Sequence, residues 1–322
     1  MSGFVRCGGR GGVWGVGVMA GVLLAGFAGN PAASAPKVAG RQAAAKEGQE
    51  IKPGILVRQF RVRVGDHGNT MWVYLPKKRP AGKLPVILIA PAGSRMFHGM
   101  DLGEGDRAEH FPYVEAGYAV VAYAIDGHLG EKPSEQQVVR AIRLFQAADA
   151  GVANAKAALT AALQQMPELD ADRVYTAGHS SAATLSLLVA ANDPRIKGCI
   201  AYAPVCNVPA RLGRDLIRDL TPASPGFDRF ISRYSPDQVV SSLRCPVFLF
   251  HADDDSNIPT SEVLQFAKAL ARTNSQVAFA HVPTGNHYHS MIQQGIPTAI
   301  RWLASLRAGA ASGKAARDSS GH

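Results

Sequence analysis

The chain has 322 residues, of which 47% are hydrophobic and 18% charged, and carries a formal net charge of +9. That length suits one large α/β domain or two small ones, and the composition makes a sizeable buried sheet feasible. Five of the Lys and Arg residues lie before residue 51 and three beyond residue 303, and no dense basic run carries interleaved aromatics, which excludes nucleic acid as an expected partner.

Residues 1–35 have the layout of a secretory signal peptide: Arg6 and Arg10, an apolar Gly-rich stretch from Val13 to Ala28, then Ala33-Ser34-Ala35. The same stretch retained would be an N-terminal anchor. The expectation is export to the periplasm or beyond, with no membrane contact for the mature domain unless the leader stays. Residues 36–50 read as a linker, 51–307 as the main folded domain and 308–322, rich in Ala, Gly, Ser and Lys/Arg, as a disordered tail. Beyond the leader stand Cys199, Cys206 and Cys245, an odd number that leaves at least one thiol outside any intramolecular disulfide.

Ile55 to Val64 alternates apolar and polar residues, as in a half-exposed strand, and Thr70 to Leu75 returns after the turn Asp66-His67-Gly68-Asn69. Past Pro76 the pattern changes. Pro85–Ala90, Tyr118–Tyr123, Asp172–Ala177, Gly198–Ala203, Val247–Phe250 and Gln276–Val282 are apolar runs of strands covered on both faces. Helical periodicity separates them: one long helix over about 135–165, then 183–190, 262–271 and 290–306. This alternation predicts a parallel sheet with helices on both faces. Two leading antiparallel strands and six parallel ones make an eight-stranded, mostly parallel sheet. The segment from Cys206 to Asp237, with Pro222, Pro225 and Pro236, breaks the rhythm as a small insertion after the strand that follows the 183–190 helix. Arg211 and Asp215 within it stand at i,i+4 spacing.

Gly178-His179-Ser180-Ser181-Ala182 lies between a buried strand and a helix, where a sharp turn exposes a nucleophilic serine. Small residues are needed two before and two after the serine, which selects Ser180 over Ser181, since bulky His179 would precede Ser181 by two. A serine hydroxyl needs a base, and the base needs a carboxylate to orient it. Asp255, ahead of Asp254, is the expected acid in the loop after Val247–Phe250. His287, ahead of His289, is the expected base after the last strand. The oxyanion-stabilising N–H groups are expected from Ser181 and from the loop Ala90-Pro91-Ala92-Gly93. There Pro91 has no N–H, and Ala92 is preferred to Gly93. No cofactor and no metal is expected: His251, Asp253, His287 and His289 lack the spacing of a metal-binding motif. Met96, Phe97, His98, Met100, Phe227, Phe230 and Tyr234 are possible pocket residues.

Leu169-Asp170-Ala171-Asp172-Arg173-Val174 leading to Gly178-His179-Ser180, then His251 to Pro259, then Gly285-Asn286-His287, resemble the α/β-hydrolase superfamily. The similarity is to the catalytic domains of prolyl-oligopeptidase-like (S9-type) and dienelactone-hydrolase-like serine hydrolases. It spans about residues 55–306. The His251-to-Pro259 loop is similar to the family's H-G-x-x-D-x-x-V-P pattern, which implies that Asp255 is the triad acid. The sequence departs from these families at three points. Residues 1–54 are too few for the propeller of the oligopeptidases. Ser180 stands where dienelactone hydrolases proper use Cys. Ala90-Pro91-Ala92-Gly93 replaces the usual His-Gly-Gly. The expected activity is hydrolysis of a carboxylic ester through an acyl-enzyme, with a small ester or a short peptide as partner. An S9-like peptidase and a non-catalytic binding protein on the same fold are the alternatives.

Overall fold

The apolar runs of the sequence become the centre of one nine-stranded sheet in the computed structural model, which describes residues 48–319, with side chains through residue 308. The expected leader 1–35 and all but the end of the expected linker lie outside the described residues. In chain order the strands are β1 (Gln49–Lys52), β2 (Ile55–Val64), β3 (His67–Pro76), β4 (Leu84–Ile89), β5 (Ala119–Tyr123), β6 (Leu169–His179), β7 (Ile196–Tyr202), β8 (Val247–Ala252) and β9 (Val277–Val282). Their spatial order is β1-β2-β3-β5-β4-β6-β7-β8-β9. β1, β2, β3 and β5 pair antiparallel in succession, and β5, β4, β6, β7, β8 and β9 are parallel.

The α/β-hydrolase architecture therefore holds with nine strands in place of eight. The extra strand, β1, begins within the segment expected to be linker. Its residues Gln-Glu-Ile-Lys are mostly exposed at the sheet edge, so they carry no hydrophobic pattern to announce a strand.

The helices are α1 (Arg107–Glu115), α2 (Glu135–Ala147), α3 (Val152–Gln165), α4 (Ser181–Asn192), α5 (Val208–Leu212), α6 (Arg214–Leu220), α7 (Phe227–Arg233), α8 (Thr260–Ala271) and α9 (Ile296–Ser319). Along the strands, alternate side chains point to opposite faces. Ile87, Ile89, Val120, Ala122, Ala177, Ile200, Tyr202, Phe248 and Phe250 pack with Tyr113 and Val114 of α1 and with Ile296, Ala299 and Leu303 of α9. Each of these larger side chains, fully removed from water, contributes roughly 1.5–3 kcal/mol. α4 packs on β6, β7 and α3 and is buried from Ser181 to Ala190, which accounts for its all-round Ala, Leu and Val content.

Two helices differ from expectation. The long helix over 135–165 is two, α2 and α3, separated at Asp149, Ala150 and Gly151, whose φ values are 52°, 57° and 94°. A Cβ on Gly151 would lie 2.9 Å from Leu185 Cδ2 and 3.1 Å from Ile125 Cγ2, so the chain presses close to α4 there. The last helix is preceded by a π-helical turn, Met291–Gly295, and continues to Ser319, through most of the segment expected as a disordered tail. Its alanines have high helix propensity. Among the described residues no helix is long and apolar enough to cross a membrane.

Candidate active site

Three parallel strands, β6, β8 and β9, deliver the expected triad residues from the loops at their C-terminal ends. β6 ends at His179, and Ser180 turns the chain into α4 with φ 54° and ψ −120°. A non-glycine residue held at positive φ is strained, and such strain persists only where surroundings impose it. Here the Ser180 N–H donates to the Tyr202 carbonyl at 2.9 Å, and the Ser180 carbonyl accepts from Ala183 and Thr184. Gly178 makes the tight turn possible: a Cβ there would stand 2.3 Å from the Ala182 carbonyl oxygen.

Ser180 is half-buried, while Ser181 is buried and its Oγ accepts the N–H groups of Gly93 and Ser94 at 2.9 and 3.0 Å. The two serines thus have different tasks. Ser180 stands at the turn, and Ser181 ties α4 to the loop after β4. Ser181 is the first residue of α4, so its own N–H has no acceptor within the helix. Gly93 gives its N–H to Ser181 Oγ, whereas half-buried Ala92 precedes that contact.

In the loop after β8 the three consecutive carboxylates separate cleanly. Asp253 lies 3.3 Å from His281 Nδ1. Asp254 accepts the N–H groups of Gly285 and Asn286 at 3.0 and 2.8 Å, latching the loop after β9. Asp255, with its side chain 1% exposed, accepts from Asn257 and Ile258 N–H through Oδ1 and from His287 Nδ1 through Oδ2 at 2.7 Å. Burial pushes its carboxyl up, but the hydrogen bond and charge of His287 with the two backbone donors more than offset it, so the pKa falls below the usual value. The fully buried His251 donates Nε2–H to the Ile258 carbonyl at 3.0 Å, bracing the same loop.

The base loop turns at Gly285 (φ 126°) and Asn286 (φ 52°). A Cβ on Gly285 would meet Ser290 Cα at 2.8 Å. With Nδ1–H held by Asp255, His287 keeps its lone pair on Nε2, a buried atom with no hydrogen-bond partner among the described residues. Ser180 follows directly on His179, whose ring centroid is 4.5 Å from that of His287. His289 is exposed and meets Asn286 Nδ2 at 3.1 Å, away from Asp255. The structure therefore joins Asp255 to His287 and packs His287 against His179, the residue before Ser180. It gives Asp254 and His289 other partners. The four residues of the metal reading do not converge, and the described residues hold no group of three or more His, Cys, Asp or Glu side chains suited to a metal ion.

The insertion folds as α5, α6 and α7 over this end of the sheet. Glu262 of α8 accepts Cys206 and Asn207 N–H, and Arg211 donates to the Asn257 carbonyl and side chain at 2.9 and 2.6 Å, which pins the insertion to the acid loop. Gly213 separates α5 from α6, and within α6 Arg218 pairs with Asp215 and Asp219. Met96, Ile125, Phe145, Leu185, Phe230 and Tyr234 line a narrow apolar pocket that reaches Ser94 and Ser181. Phe97 and Phe227 are buried in packing. Cys199, Cys206 and Cys245 are all free thiols.

The sheet order, the strained turn and the Ser-Asp-His order define an α/β-hydrolase of the S9-like serine hydrolase type. The chain belongs to the prolyl oligopeptidase family, whose model matches residues 107–306. It is 25% identical over 156 residues to the acylamino-acid-releasing enzyme of Rattus norvegicus, covering 43% of this chain and 21% of the relative. It is 23% identical over 220 residues to the acetyl esterase Axe7A of Xylanibacter ruminicola, covering 60% of this chain and 48% of the relative. The chain thus spans about a fifth and about half of these relatives. A candidate dienelactone hydrolase from Klebsiella pneumoniae superposes with a TM-score of 0.58 at 18% identity, over 78% of this chain and 98% of that one, a likeness of fold.

Proposed function

We propose that this serine hydrolase cleaves a carboxylic ester through a Ser180–His287–Asp255 triad and an acyl-enzyme. The observation that carries the reading is the 2.7 Å hydrogen bond from His287 Nδ1 to buried Asp255, which leaves the Nε2 lone pair free on a ring that packs against His179, the residue before strained Ser180. In this scheme Nε2 takes the Ser180 proton as Oγ attacks the acyl carbon. Asp255 stabilises the imidazolium that forms. The tetrahedral oxyanion is held by the Ser181 and Ala92 N–H groups. His287 then returns the proton to the leaving alkoxide, and water repeats the sequence to release the acid. The apolar pocket of Met96, Ile125, Phe145, Leu185, Phe230 and Tyr234 suits a small apolar group of the ester. None of its lining residues is a carboxylate that would hold a peptide amine.

The test is a panel of acyl nitrophenyl esters and aminoacyl amides on the wild type and Ser180→Ala, with fluorophosphonate labelling. Ester turnover and labelling that both vanish in Ser180→Ala are expected. Turnover of the amides alone would assign the site to a peptidase, the reading favoured by the likeness to the acylamino-acid-releasing enzyme. No labelling of folded wild type would overturn the triad. Export, proposed from the layout of residues 1–35, is tested by fractionating cells that express the full chain with and without that segment.

A further inference from the structure

His179 and Glu109 stand beside the triad without a role in the steps above. His179, the last residue of β6, is 4% exposed. Its Nε2 lies 2.8 Å from the His287 carbonyl oxygen. A carbonyl only accepts, so Nε2 carries the hydrogen, and in the neutral ring Nδ1 carries the lone pair. Nδ1 faces Glu109 Oε1 of α1 at 3.8 Å, and both side chains are more than nine-tenths buried. The two imidazoles also pack, with centroids 4.5 Å apart and planes tilted by 47°.

Several hydrogen bonds hold the backbone of the His287 loop. Asp254 accepts the Gly285 and Asn286 N–H groups, and Ser290 Oγ donates to the Asn286 carbonyl at 2.6 Å. These lie on the acid-loop side or within the loop itself. The bond from His179 comes from the residue bonded to the nucleophile, and it ties the backbone of the base to the turn carrying Ser180.

We propose that His179 is a positioning residue that sets the distance between Ser180 and His287, its ring backed on the Nδ1 side by the buried Glu109 carboxyl. This rests on His287 being the base of the proposed reaction. The charged and titratable groups around the pair are Asp106 just before α1, Tyr113 from α1, Tyr202 from β7, Asp255 from the loop after β8, and His287 and Tyr288 from the base loop. Burial, then the charge of Asp106, push the Glu109 carboxyl up to about 8. Burial, then His287, push the His179 imidazole down to about 3, against the His287 carbonyl and Asp255. Both partners are therefore neutral near pH 7, and the acid proton of Glu109 faces the Nδ1 lone pair. Ionised Glu109 would instead set a negative charge against that lone pair and push the ring, and the loop it holds, out of place.

The experiment measures ester kcat and KM, melting temperature and fluorophosphonate labelling on the full chain. His179→Phe keeps a ring but loses the donor. It is expected to lower kcat about 10–100-fold at nearly unchanged KM. His179→Gln, whose amide N–H reaches a similar position, is expected to restore most of that loss. Glu109→Gln is expected to remain active at pH 7 and to remove a fall in kcat that the wild type shows above about pH 8. A folded His179→Phe enzyme with kcat within about twofold of wild type, a Gln variant no better than Phe, or an alkaline limb unchanged in Glu109→Gln would each overturn the proposal. If His179→Phe fails to fold, the Gln variant and the Glu109→Gln pH profile decide it. Wild type that does not label overturns the triad reading itself, whereas labelled wild type with an undiminished Phe variant overturns the positioning role alone.

Discussion

Gly178→Ala isolates the geometry of the nucleophile turn. The φ of Gly178 lies outside the left-handed region, so alanine meets no backbone strain there, only a collision. Its Cβ would stand 2.3 Å from the Ala182 oxygen, 2.4 Å from the Ala182 carbonyl carbon and 2.8 Å from Ala183 N. Ordinary contact begins near 3.4 Å, so the turn must open by about 1 Å. All three obstacles are backbone atoms of α4, which cannot rotate aside as a side chain would. Overpacking of this kind costs about 1–3 kcal/mol, a fall of roughly 2–4 °C in Tm for each kcal/mol at this size. A shift of ~1 Å at the nucleophile costs about 100-fold in rate. Urea unfolding followed by Trp fluorescence reads the first effect, and ester kcat with fluorophosphonate labelling reads the second. Ala182→Gly is the control, with about 1 kcal/mol of helix propensity lost and kcat within about threefold of wild type. A Gly178→Ala enzyme with wild-type kcat would refute the reasoning, since the turn would then have room that these distances deny.

Asp255→Asn is expected to lower kcat by about 10³–10⁴-fold with little change in melting temperature, as the amide no longer fixes Nδ1–H on His287; a pre-steady-state ester assay checks it. Asp254→Ala removes the acceptor for Gly285 and Asn286 N–H, so it should cost about 1 kcal/mol in urea unfolding and lower kcat through the loosened base loop. His289→Ala should leave ester kcat within about twofold of wild type, while His287→Ala abolishes it. Both ring nitrogens of buried His110 lack hydrogen-bond partners among the described residues, and burial, then the charge of Arg107, push its pKa down to about 3. An imidazole depressed in the fold gives full stability above its unfolded pKa near 6.5 and loses it as pH falls toward 3. His110→Phe should therefore unfold later than wild type in urea, with the gap about 2 kcal/mol wider at pH 5 than at pH 7.5.

Much of the fold was legible because parallel strands buried on both faces read as unbroken apolar runs, as β4, β5, β8 and the C-terminal parts of β6 and β7 do, while β9, half-buried at the sheet edge, is apolar but for His281. β1 was not, because an exposed edge strand needs no apolar face. The break between α2 and α3 was hidden as well. Its apolar spacing continues through Ala148–Gly151, and only the approach of Leu185 and Ile125 to Gly151 shows why the chain turns there. The π-turn before α9 has no sequence signal of its own.

At the site, sequence alone determined the chemistry: a serine on a strand-to-helix turn, then a carboxylate, then an imidazole, each after a buried strand. Those are properties of residue type and order along the chain. Turn crowding, loop position and the family resemblance already preferred one of each adjacent pair, and the tertiary structure supplies the partners that separate them. Ser180 and Ser181, Asp254 and Asp255, and His287 and His289 differ mainly in where their side chains point. That direction is set by partners distant in sequence: Gly93 and Ser94 for Ser181, Gly285 and Asn286 for Asp254, His287 for Asp255. The meeting of Glu109 with His179 belongs to the same class, since it exists only once α1 packs against the end of β6. Local pattern carries what a residue can do, and long-range packing decides which of two adjacent residues is placed to do it.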